Sequence, residues 1–241
     1  VLAQISSNFA NEYYDYKAGL DRPGREGPRR GVTEGDITPG AMKAATYATL
    51  ALACAVGLSL IYWGGWWLIA VGALIAVGVY AYSAGPFPLS HHGLGEVAVV
   101  FFFGIIPVNF TYYLQSGAFD YLVLMSSISI GLMGANVLII NNYRDMYDDA
   151  SVGKRTIVVR IGRTAASSLY LFNGYIAVAL MVSLWYFLNI WWWAVPVIYL
   201  CGHTALWFRM QRLRGRELNP FLGITAMLLL FYSLGMLAAA F

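Results

Sequence analysis

The sequence predicts an all-α, multi-pass transmembrane helical bundle, and three observations lead to this fold class. Apolar residues make up 59% of the 241 residues and charged residues only 11%, whereas roughly a quarter of the residues of a soluble globule are charged. The apolar residues form long runs, and a membrane-spanning helix needs about 20 such residues. The basic residues are confined to a few connections between these runs.

Eight apolar runs are read as helices in chain order. They occupy residues 1–16, 41–62, 66–82, 96–114, 120–141, 165–188, 191–208 and 219–241. Seven have the length of a complete or nearly complete span, and the first is a stub. Because Val1 already lies inside an apolar run, we expect a preceding segment of the protein. Residues 1–10 lack the basic flank and the cleavage pattern of a signal peptide.

The charges predict which ends of the helices face the cytoplasm. All 15 Lys and Arg residues lie in the segments 17–43, 144–163 and 209–216. Connections without basic residues alternate with these segments, as the positive-inside rule requires, so we expect the basic connections on the cytoplasmic side of the cell membrane. An aromatic belt marks the opposite interface, and it consists of Trp63, Trp66, Trp67, Tyr112, Tyr113, Tyr121, Trp191, Trp192 and Trp193.

The remaining features have simpler interpretations. Residues 16–40 are rich in Gly, Pro and mixed charge, which predicts a long loop that covers a polar site. Gly104 and Pro107 predict a simple bend in the fourth run. The amides Asn109, Asn136 and Asn173 are expected to form hydrogen bonds between helices. The three histidines lack the spacing of metal ligands, and they are His91, His92 and His203.

Two polar stretches at helix ends resemble each other. The pattern Asn-x-Tyr-x-Asp occurs at 11–15 and again at 141–145. With the neighbouring acids, five carboxylates lie at predicted helix C-termini, where the helix dipole disfavours negative charge. Such a violation of local rules is typical of a functional site. These carboxylates are Asp15, Asp21, Asp145, Asp148 and Asp149.

A divalent cation and a polyanion relieve the repulsion among these acids. Mg²⁺ prefers one or two carboxylates together with water and substrate phosphate oxygens. Cations interleave with the acids, namely Arg22, Arg29, Lys154 and Arg155. The pattern therefore predicts that Mg²⁺ and a diphosphate bind where the two stretches meet. The opposing interpretation is a solvated loop whose acids and cations only pair with each other.

At this point the residues resemble a known family, the UbiA superfamily of intramembrane prenyltransferases. Residues 11–21 are similar to its first aspartate motif, and the run from Asn141 to Thr156, with Val159-Arg160-Ile161-Gly162, is similar to the second. The motifs Arg25-x-Gly27-Pro28-x-Arg30, Gly85-Pro86-x-Pro88-Leu89 and Gly93-Leu94-Gly95-Glu96 favour the menaquinone branch. Glu12 departs from the Asp common at its position. The likeness covers nearly the whole chain and implies a nine-helix fold whose first helix is absent from residues 1–241, as well as a single prenyltransferase domain.

The resemblance implies a reaction and a set of roles. A polyprenyl group passes from its diphosphate to 1,4-dihydroxy-2-naphthoate with decarboxylation, in the lipid bilayer, with Mg²⁺ as cofactor and no nucleic acid. Metal ligands are expected at Asn11, Asp15, Asp21, Asp145 and Asp149. The diphosphate is expected to bind Asn11, Arg22, Arg144, Lys154 and Arg155, of which the last two act in catalysis with Asp15, Asp145 and Asp149. Acceptor binding or shielding of the allylic cation falls to Tyr80, Tyr82, Asn141 and Asn142.

Three alternatives stay open at this stage. A related enzyme that uses another acceptor, such as 4-hydroxybenzoate, fits the same motifs. A cation-coupled transporter is a different class, although transporter sites lie near the bilayer midplane at broken helices, whereas these motifs lie at one surface. A non-catalytic membrane scaffold is the third. Oligomeric state and prenyl chain length do not follow from the sequence.

Overall fold

The computed structural model describes residues 1–239, and every regular element among them is helical. The predicted all-α bundle is therefore confirmed. The α-helices are α1 (Leu2–Lys17), α2 (Pro39–Ser59), α3 (Ile61–Gly64), α4 (Leu68–Ser83), α5 (Gly95–Val99), α6 (Ile106–Ser116), α7 (Tyr121–Ser151), α8 (Ile157–Leu180), α9 (Val182–Phe187), α10 (Ala194–Met210) and α11 (Asn219–Ala239). Short 3₁₀ turns lie at Leu89–His91, Ile190–Trp193 and Gly215–Leu218.

Helices occur at each of the eight apolar runs. Four helical segments of the described chain are long and apolar enough to cross a membrane, namely Pro39–Gly64, Gly95–Ser116, Tyr121–Ser151 and Gly215–Ala239. The apolar helix α4 is shorter than these segments. The sixth run begins earlier than predicted, because Thr156 caps α8 and its hydroxyl accepts a hydrogen bond from the Val159 amide. A backbone break at Gly162, with φ of 79°, follows at once.

The long helix α7 lies at the centre of the bundle. It packs against α5, α6, α8 and α11, while α1 packs against α2 and α4. Asp120 begins α7, since its carboxylate accepts hydrogen bonds from the Leu122 and Val123 amides. The buried side chains Ile139, Ile140 and others from α8, α10 and α11 form the core beside it. Helix α7 can therefore carry polar groups into a rigid setting.

Polar bonds between helices follow the prediction in part. Asn109 Nδ2 donates to Ser127 Oγ at 2.8 Å and joins α6 to α7. Ser129 Oγ donates to the Ala177 carbonyl at 2.8 Å and joins α7 to α8. Neither amide atom of Asn136 has a hydrogen-bond partner within the described residues, although the residue is fully buried. Asn136 lies beside the Tyr199 side chain of α10, without a hydrogen bond of standard geometry.

The fourth run contains a π-helical segment where a simple bend was expected. Residues Val100–Ile105 are π-helical and join α5 to α6. Pro107 lacks an amide hydrogen, and the wider turn before it is one way to absorb that missing donor. Gly104 allows close packing there, because a Cβ at this position would lie 2.4 Å from the Ser127 carbonyl oxygen. The π-helical segment therefore packs closely against α7.

The two ends of the bundle differ in chemistry. At one end Trp67 Nε1 donates to the Tyr113 hydroxyl at 3.3 Å, and its ring also contacts Phe110 and Phe119. At the other end the segment 18–38 and the connections after α4 and α7 come together. The first of these segments is tied down by Val32, whose amide donates to Glu12 Oε1 at 2.9 Å. The charged connections thus collect at one end, as the sequence predicted.

Candidate active site

The C-terminal end of α1 holds a buried carboxylate with two partners from elsewhere in the chain. Asp15 is 2% exposed. Its Oδ2 accepts a hydrogen bond from Lys154 Nζ at 3.2 Å, and its Oδ1 lies 2.9 Å from His91 Nε2. Asn11, one turn earlier, donates to Ser83 Oγ at 3.1 Å. The first aspartate motif therefore meets the connections after α4 and α7.

The last turns of α7 hold a second buried carboxylate. Arg144 Nε and Nη2 donate to the two oxygens of Asp145 at 2.7 and 2.8 Å, which is a bidentate pair. Arg144 also donates to Asn141 Oδ1 at 2.8 Å and to Asn219 Oδ1 at 3.0 Å. These bonds fix Asp145 against α11. The carboxylate is therefore positioned before any ligand arrives.

The segment 18–38 crosses the site and contributes cations to both aspartate motifs. Arg25 pairs with Asp21 and with Asp145, each at 3.0 Å. Arg30 donates to Asn11 Oδ1 at 2.9 Å and lies 3.6 Å from Asp21 Oδ2. The predicted loop over a polar site is thus bonded to that site.

Asp21 and Lys154 show how strongly the site gathers charge. Burial raises the pKa of Asp21, even though Arg30 and Arg25 oppose this shift. Burial alone would lower the pKa of Lys154, but attraction by Asp15 and Asp149 outweighs it, and the pKa rises. Lys154 Nζ lies 3.9 Å from Asp149 Oδ1. Lys154 thus stays charged between two acids, while the charge on Asp21 is only partly compensated.

Two adjoining cavities border these groups. The larger has a volume of about 550 Å³ and the smaller about 180 Å³. Arg25, Asp145, Asp149 and Lys154 line both of them. The larger cavity continues from these polar groups to an apolar wall formed by Val99, Phe103, Ile130, Val137, Leu138, Leu222 and Leu229. One end therefore suits an anion with its counter-ions, and the other suits a hydrocarbon.

The donor set fits magnesium bound together with an anionic substrate. Within residues 1–239 no group of three or more His, Cys, Asp or Glu side chains is arranged to hold a metal by itself. Mg²⁺ rarely needs such a cage, because water and substrate phosphates complete its shell. Asp15, Asp21, Asp145 and Asp149 line the smaller cavity, and Asp21 Oδ2 is buried without a hydrogen-bond partner. Arg30 Nε lies 3.6 Å from this oxygen, too far for a hydrogen bond, so the oxygen keeps lone pairs for a metal ion.

The structure brings together most residues that the sequence singled out. The larger cavity is lined by Asn11, Tyr82, Asn141, Asn142, Asp145, Asp149 and Lys154, and the smaller by Asp15, Asp21, Arg22, Asp148 and others. Arg144 lies buried behind Asp145. Arg155 is exposed and lines neither cavity. Tyr80 is 47% exposed and contacts Tyr14 instead.

Sequence reasoning gave too little weight to four residues. Arg25, Arg30, His91 and Glu96 contact site residues directly, whereas Arg29 pairs with Asp36 at the surface. His91 lacks metal-ligand spacing, as the sequence indicates, but it contacts Asp15 Oδ1 through its Nε2. The signal for Arg25, Arg30 and Glu96 was present in the family-like motifs that contain them.

A family model decides the assignment. Residues 1–220 match the UbiA prenyltransferase family. The chain belongs to this family. UbiA proteins are membrane proteins by fold, and the four long apolar helices agree with an integral membrane protein. The two aspartate motifs of the chain thus belong to a UbiA fold.

Curated relatives share substantial identity with this UbiA chain. It is 35% identical over 237 residues to the 1,4-dihydroxy-2-naphthoate octaprenyltransferase of Mycobacterium tuberculosis, covering 98% of the chain and 80% of the relative. It is 34% identical over 227 residues to the Escherichia coli protein of the same name, covering 91% and 72%. A more distant relative is the 2-carboxy-1,4-naphthoquinone phytyltransferase of Synechocystis, 32% identical over 41% of the chain and 32% of that protein.

Solved structures show the same fold at low identity. A UbiA homolog from Archaeoglobus fulgidus, described as bound to DMAPP and Mg²⁺, superposes with a TM-score of 0.65 at 15% identity over 98% of this chain and 84% of that one. A digeranylgeranylglyceryl phosphate synthase structure gives a TM-score of 0.56 at 16% identity, over 98% and 82%. The arrangement of helices is therefore that of the family.

Proposed function

We propose that the chain is a single prenyltransferase domain that transfers a polyprenyl group from its diphosphate to 1,4-dihydroxy-2-naphthoate, with loss of carbon dioxide. The product is the prenyl naphthalenediol demethylmenaquinol, the reduced form of demethylmenaquinone. The observation that carries this proposal is the larger cavity, which joins a cluster of acids and cations to an apolar wall. A prenyl diphosphate has this same division between a polyanionic head and a hydrocarbon tail. The names of the curated relatives support the naphthoate as the acceptor.

The polar end holds the diphosphate. Lys154, Arg25 and Arg30 border the cavity and supply positive charge, and Arg22 adds a further cation from the smaller one. Asn11, Asp15, Asp21, Asp145 and Asp149 would hold Mg²⁺ shared with the diphosphate oxygens, and the structural neighbour bound to DMAPP and Mg²⁺ supports this assignment. When bound, the metal supplies charge neutralisation for the diphosphate leaving group.

The reaction then requires that negative charge on the leaving group be met by fixed positive charge. As the carbon–oxygen bond to the diphosphate breaks, electrons move to the diphosphate, and a preorganised cation such as Lys154 stabilises them. The ring carbon that bears the carboxylate attacks the allylic carbon and forms the new carbon–carbon bond. The neighbouring hydroxyl loses its proton to water and becomes a carbonyl. Carbon dioxide then leaves, its bonding electrons return to the ring, and the resulting oxyanion takes up a proton from water to give the prenyl naphthalenediol. Asn142 and Tyr82 line the larger cavity, and we assign the acceptor to them.

The apolar wall accommodates the prenyl chain. Phe103 lies in the π-helical segment and Leu138 lies in α7, and both side chains border the cavity. We place the polar end on the cytoplasmic side of the cell membrane, because the basic connections collect there and the positive-inside rule assigns them to the cytoplasm. The diphosphate group of the substrate then enters from the cytoplasmic side, and its prenyl chain enters from the bilayer.

Product analysis tests the proposal. The purified protein in lipid nanodiscs receives a polyprenyl diphosphate, Mg²⁺ and either 1,4-dihydroxy-2-naphthoate or 4-hydroxybenzoate, and mass spectrometry identifies the product. We expect a decarboxylated prenyl naphthalenediol from the first acceptor and no product without Mg²⁺. Prenylated hydroxybenzoate alone would reassign the acceptor. Flux of a solute into proteoliposomes without any prenyl transfer would instead support a transporter.

A further inference from the structure

A buried acid beside the larger cavity is not used by the diphosphate site. Glu96 lies in α5, directly after Gly95, which lines the cavity. The residue is 6% exposed, and its Oε1 accepts a hydrogen bond from Asn142 Nδ2 at 2.8 Å. Its Oε2 is buried and has no hydrogen-bond partner among residues 1–239. Among residues 1–239, no Lys, Arg or His side chain forms an ion pair with Glu96.

Burial of the Glu96 carboxyl group with one unpartnered oxygen destabilises the folded protein. A buried polar group without its full set of hydrogen bonds costs free energy, and a protein retains such a group where function requires it. The cations nearest the site are engaged with other acids, since Lys154 pairs with Asp15 and Arg25 with Asp145. Glu96 is therefore separate from the charge network that holds the diphosphate.

The hydrogen bond to Glu96 sets the orientation of the Asn142 side-chain amide. Glu96 Oε1 accepts from the NH₂ side of the Asn142 amide, and this leaves the amide carbonyl oxygen on the other side. Asn142 lines the cavity. Among the described residues, no group donates a hydrogen bond to its Oδ1. This oxygen is also not one of the fully buried atoms that lack a partner. Its carbonyl oxygen is thus presented as an acceptor to whatever occupies the cavity.

The neighbouring backbone brings a second polar group to the same place. A Cβ on Gly95 would lie 3.5 Å from the Tyr82 hydroxyl and 3.2 Å from Leu138. The glycine therefore lets α5 approach both side chains closely. Tyr82, Asn142 and the apolar Leu138 all line the cavity here. A flat ring with a polar edge matches this combination.

We propose that Glu96 is a positioning residue that selects the acceptor. By fixing the amide of Asn142, it directs the Asn142 carbonyl oxygen toward a hydroxyl of the aromatic acceptor, and the site thereby prefers ring acceptors that carry a hydrogen-bond donor. This inference rests on the proposed prenyl transfer, but it applies to any phenolic acceptor that the enzyme uses. Glu96 itself need not contact the acceptor.

The substitution Glu96→Gln tests this role with little change in shape. A glutamine can either donate to or accept from Asn142, so the amide is no longer held in one orientation. We expect the KM for the acceptor to rise about tenfold, the effect of losing one hydrogen bond, while the KM for the prenyl diphosphate stays the same. Glu34→Gln, at an exposed position, is the matched control.

A second readout separates positioning from a merely structural bond between α5 and α7. Monomethyl ethers of the dihydroxy acceptor serve as competitive inhibitors, because methylation removes one donor. In the wild type, methylation of the recognised hydroxyl should raise the inhibition constant, and in Glu96→Gln this difference should largely disappear. Asn142→Leu removes the carbonyl oxygen and should behave in the same way. If Glu96→Gln does not fold, the Asn142→Leu comparison decides.

Two results would overturn the inference. One is an equal change, or no change, in the KM values for acceptor and prenyl diphosphate. The other is full discrimination among the ethers by both variants. Failure of the proposed function has a different appearance, because the wild type would then not prenylate the naphthoate at all. If another phenol is the acceptor, the same measurements are made with that phenol.

Discussion

Lys154 Nζ lies 3.2 Å from Asp15 Oδ2, although 139 residues separate the two in the chain. This contact joins the two aspartate motifs, since Lys154 follows the second motif and also lies 3.9 Å from Asp149. The idea that both motifs form one polar site required such proximity. Asp15 and Asp145 indeed line the same cavity.

Loss of the lysine should weaken both the fold and the binding of diphosphate. In Lys154→Met, Asp15 stays buried and keeps hydrogen bonds to His91 and Asn11, and breaking a buried ion pair costs about 3 kcal/mol. We expect a lower melting temperature and an affinity for a prenyl thiodiphosphate reduced at least about tenfold. Thermal unfolding and binding titrations in detergent measure these effects. Lys43→Met, at an exposed position, is the control, and equal losses in both variants would contradict the role.

The aspartates of the two motifs should be required for transfer. Asp15→Asn and Asp145→Asn keep the shape of the side chain but remove a charge that metal binding needs. We expect turnover to fall by about 10²-fold or more, as when a group that stabilises the transition state is removed. Prenyl transfer with saturating Mg²⁺ measures this loss, and Asp36→Asn, in an exposed ion pair, should retain activity. Substantial activity in both motif variants would refute the assigned roles.

The segment 18–38 should depend on Arg25 for its order. Arg25 bridges Asp21 and Asp145 with largely buried side chains, whereas Arg29 pairs with Asp36 in solvent, where an ion pair contributes little. We expect Arg25→Gln to increase hydrogen exchange of the amides in this segment, and Arg29→Gln to leave it nearly unchanged. Mass spectrometry of peptides from residues 18–38 makes the comparison. Similar exchange in the two variants would argue against an anchoring role for Arg25.

The charge on Asp21 should be a cost to the metal-free protein. Its pKa in the folded state is raised by burial, so the folded protein binds this proton more tightly than the unfolded chain. The cost is therefore present at neutral pH and vanishes below the unfolded pKa of about 3.9. With chelator present, Asp21→Asn should melt higher than wild type at pH 7, and the difference should disappear near pH 4. A lower melting temperature at pH 7 would show that the pairs with Arg25 and Arg30 dominate.

Filling the apolar end should shorten the prenyl chain that the enzyme accepts. A Cβ on Gly134 would lie 3.5 Å from Val99, on the wall of the cavity. We expect Gly134→Leu to lower kcat/KM for long prenyl diphosphates more than for geranyl diphosphate. Gly223→Leu, where added atoms meet open space, serves as the control. An equal effect on all chain lengths would place the prenyl tail elsewhere.

The sequence predicted the helices and the meeting of the two motifs because both depend on patterns along the chain. Long apolar runs identify helices, and the repeated Asn-x-Tyr-x-Asp pattern identified Asp15 and Asp145. The choice between Arg25 and Arg29 was not predictable in this way, since the segment that carries them has no helical period. Only the fold shows that Arg25 reaches across 120 residues to Asp145. For the same reason Arg155, adjacent to Lys154, could not be recognised as exposed.

The pairing of the acids with the protein's own cations has a consequence for assembly. Because Lys154, Arg25 and Arg144 already balance Asp15 and Asp145, the bundle can insert and fold in a cell region poor in divalent ions. Chelation should therefore silence the protein reversibly and leave it intact. On the proposed function, Mg²⁺ would then arrive with each substrate and would not be a permanent part of the fold.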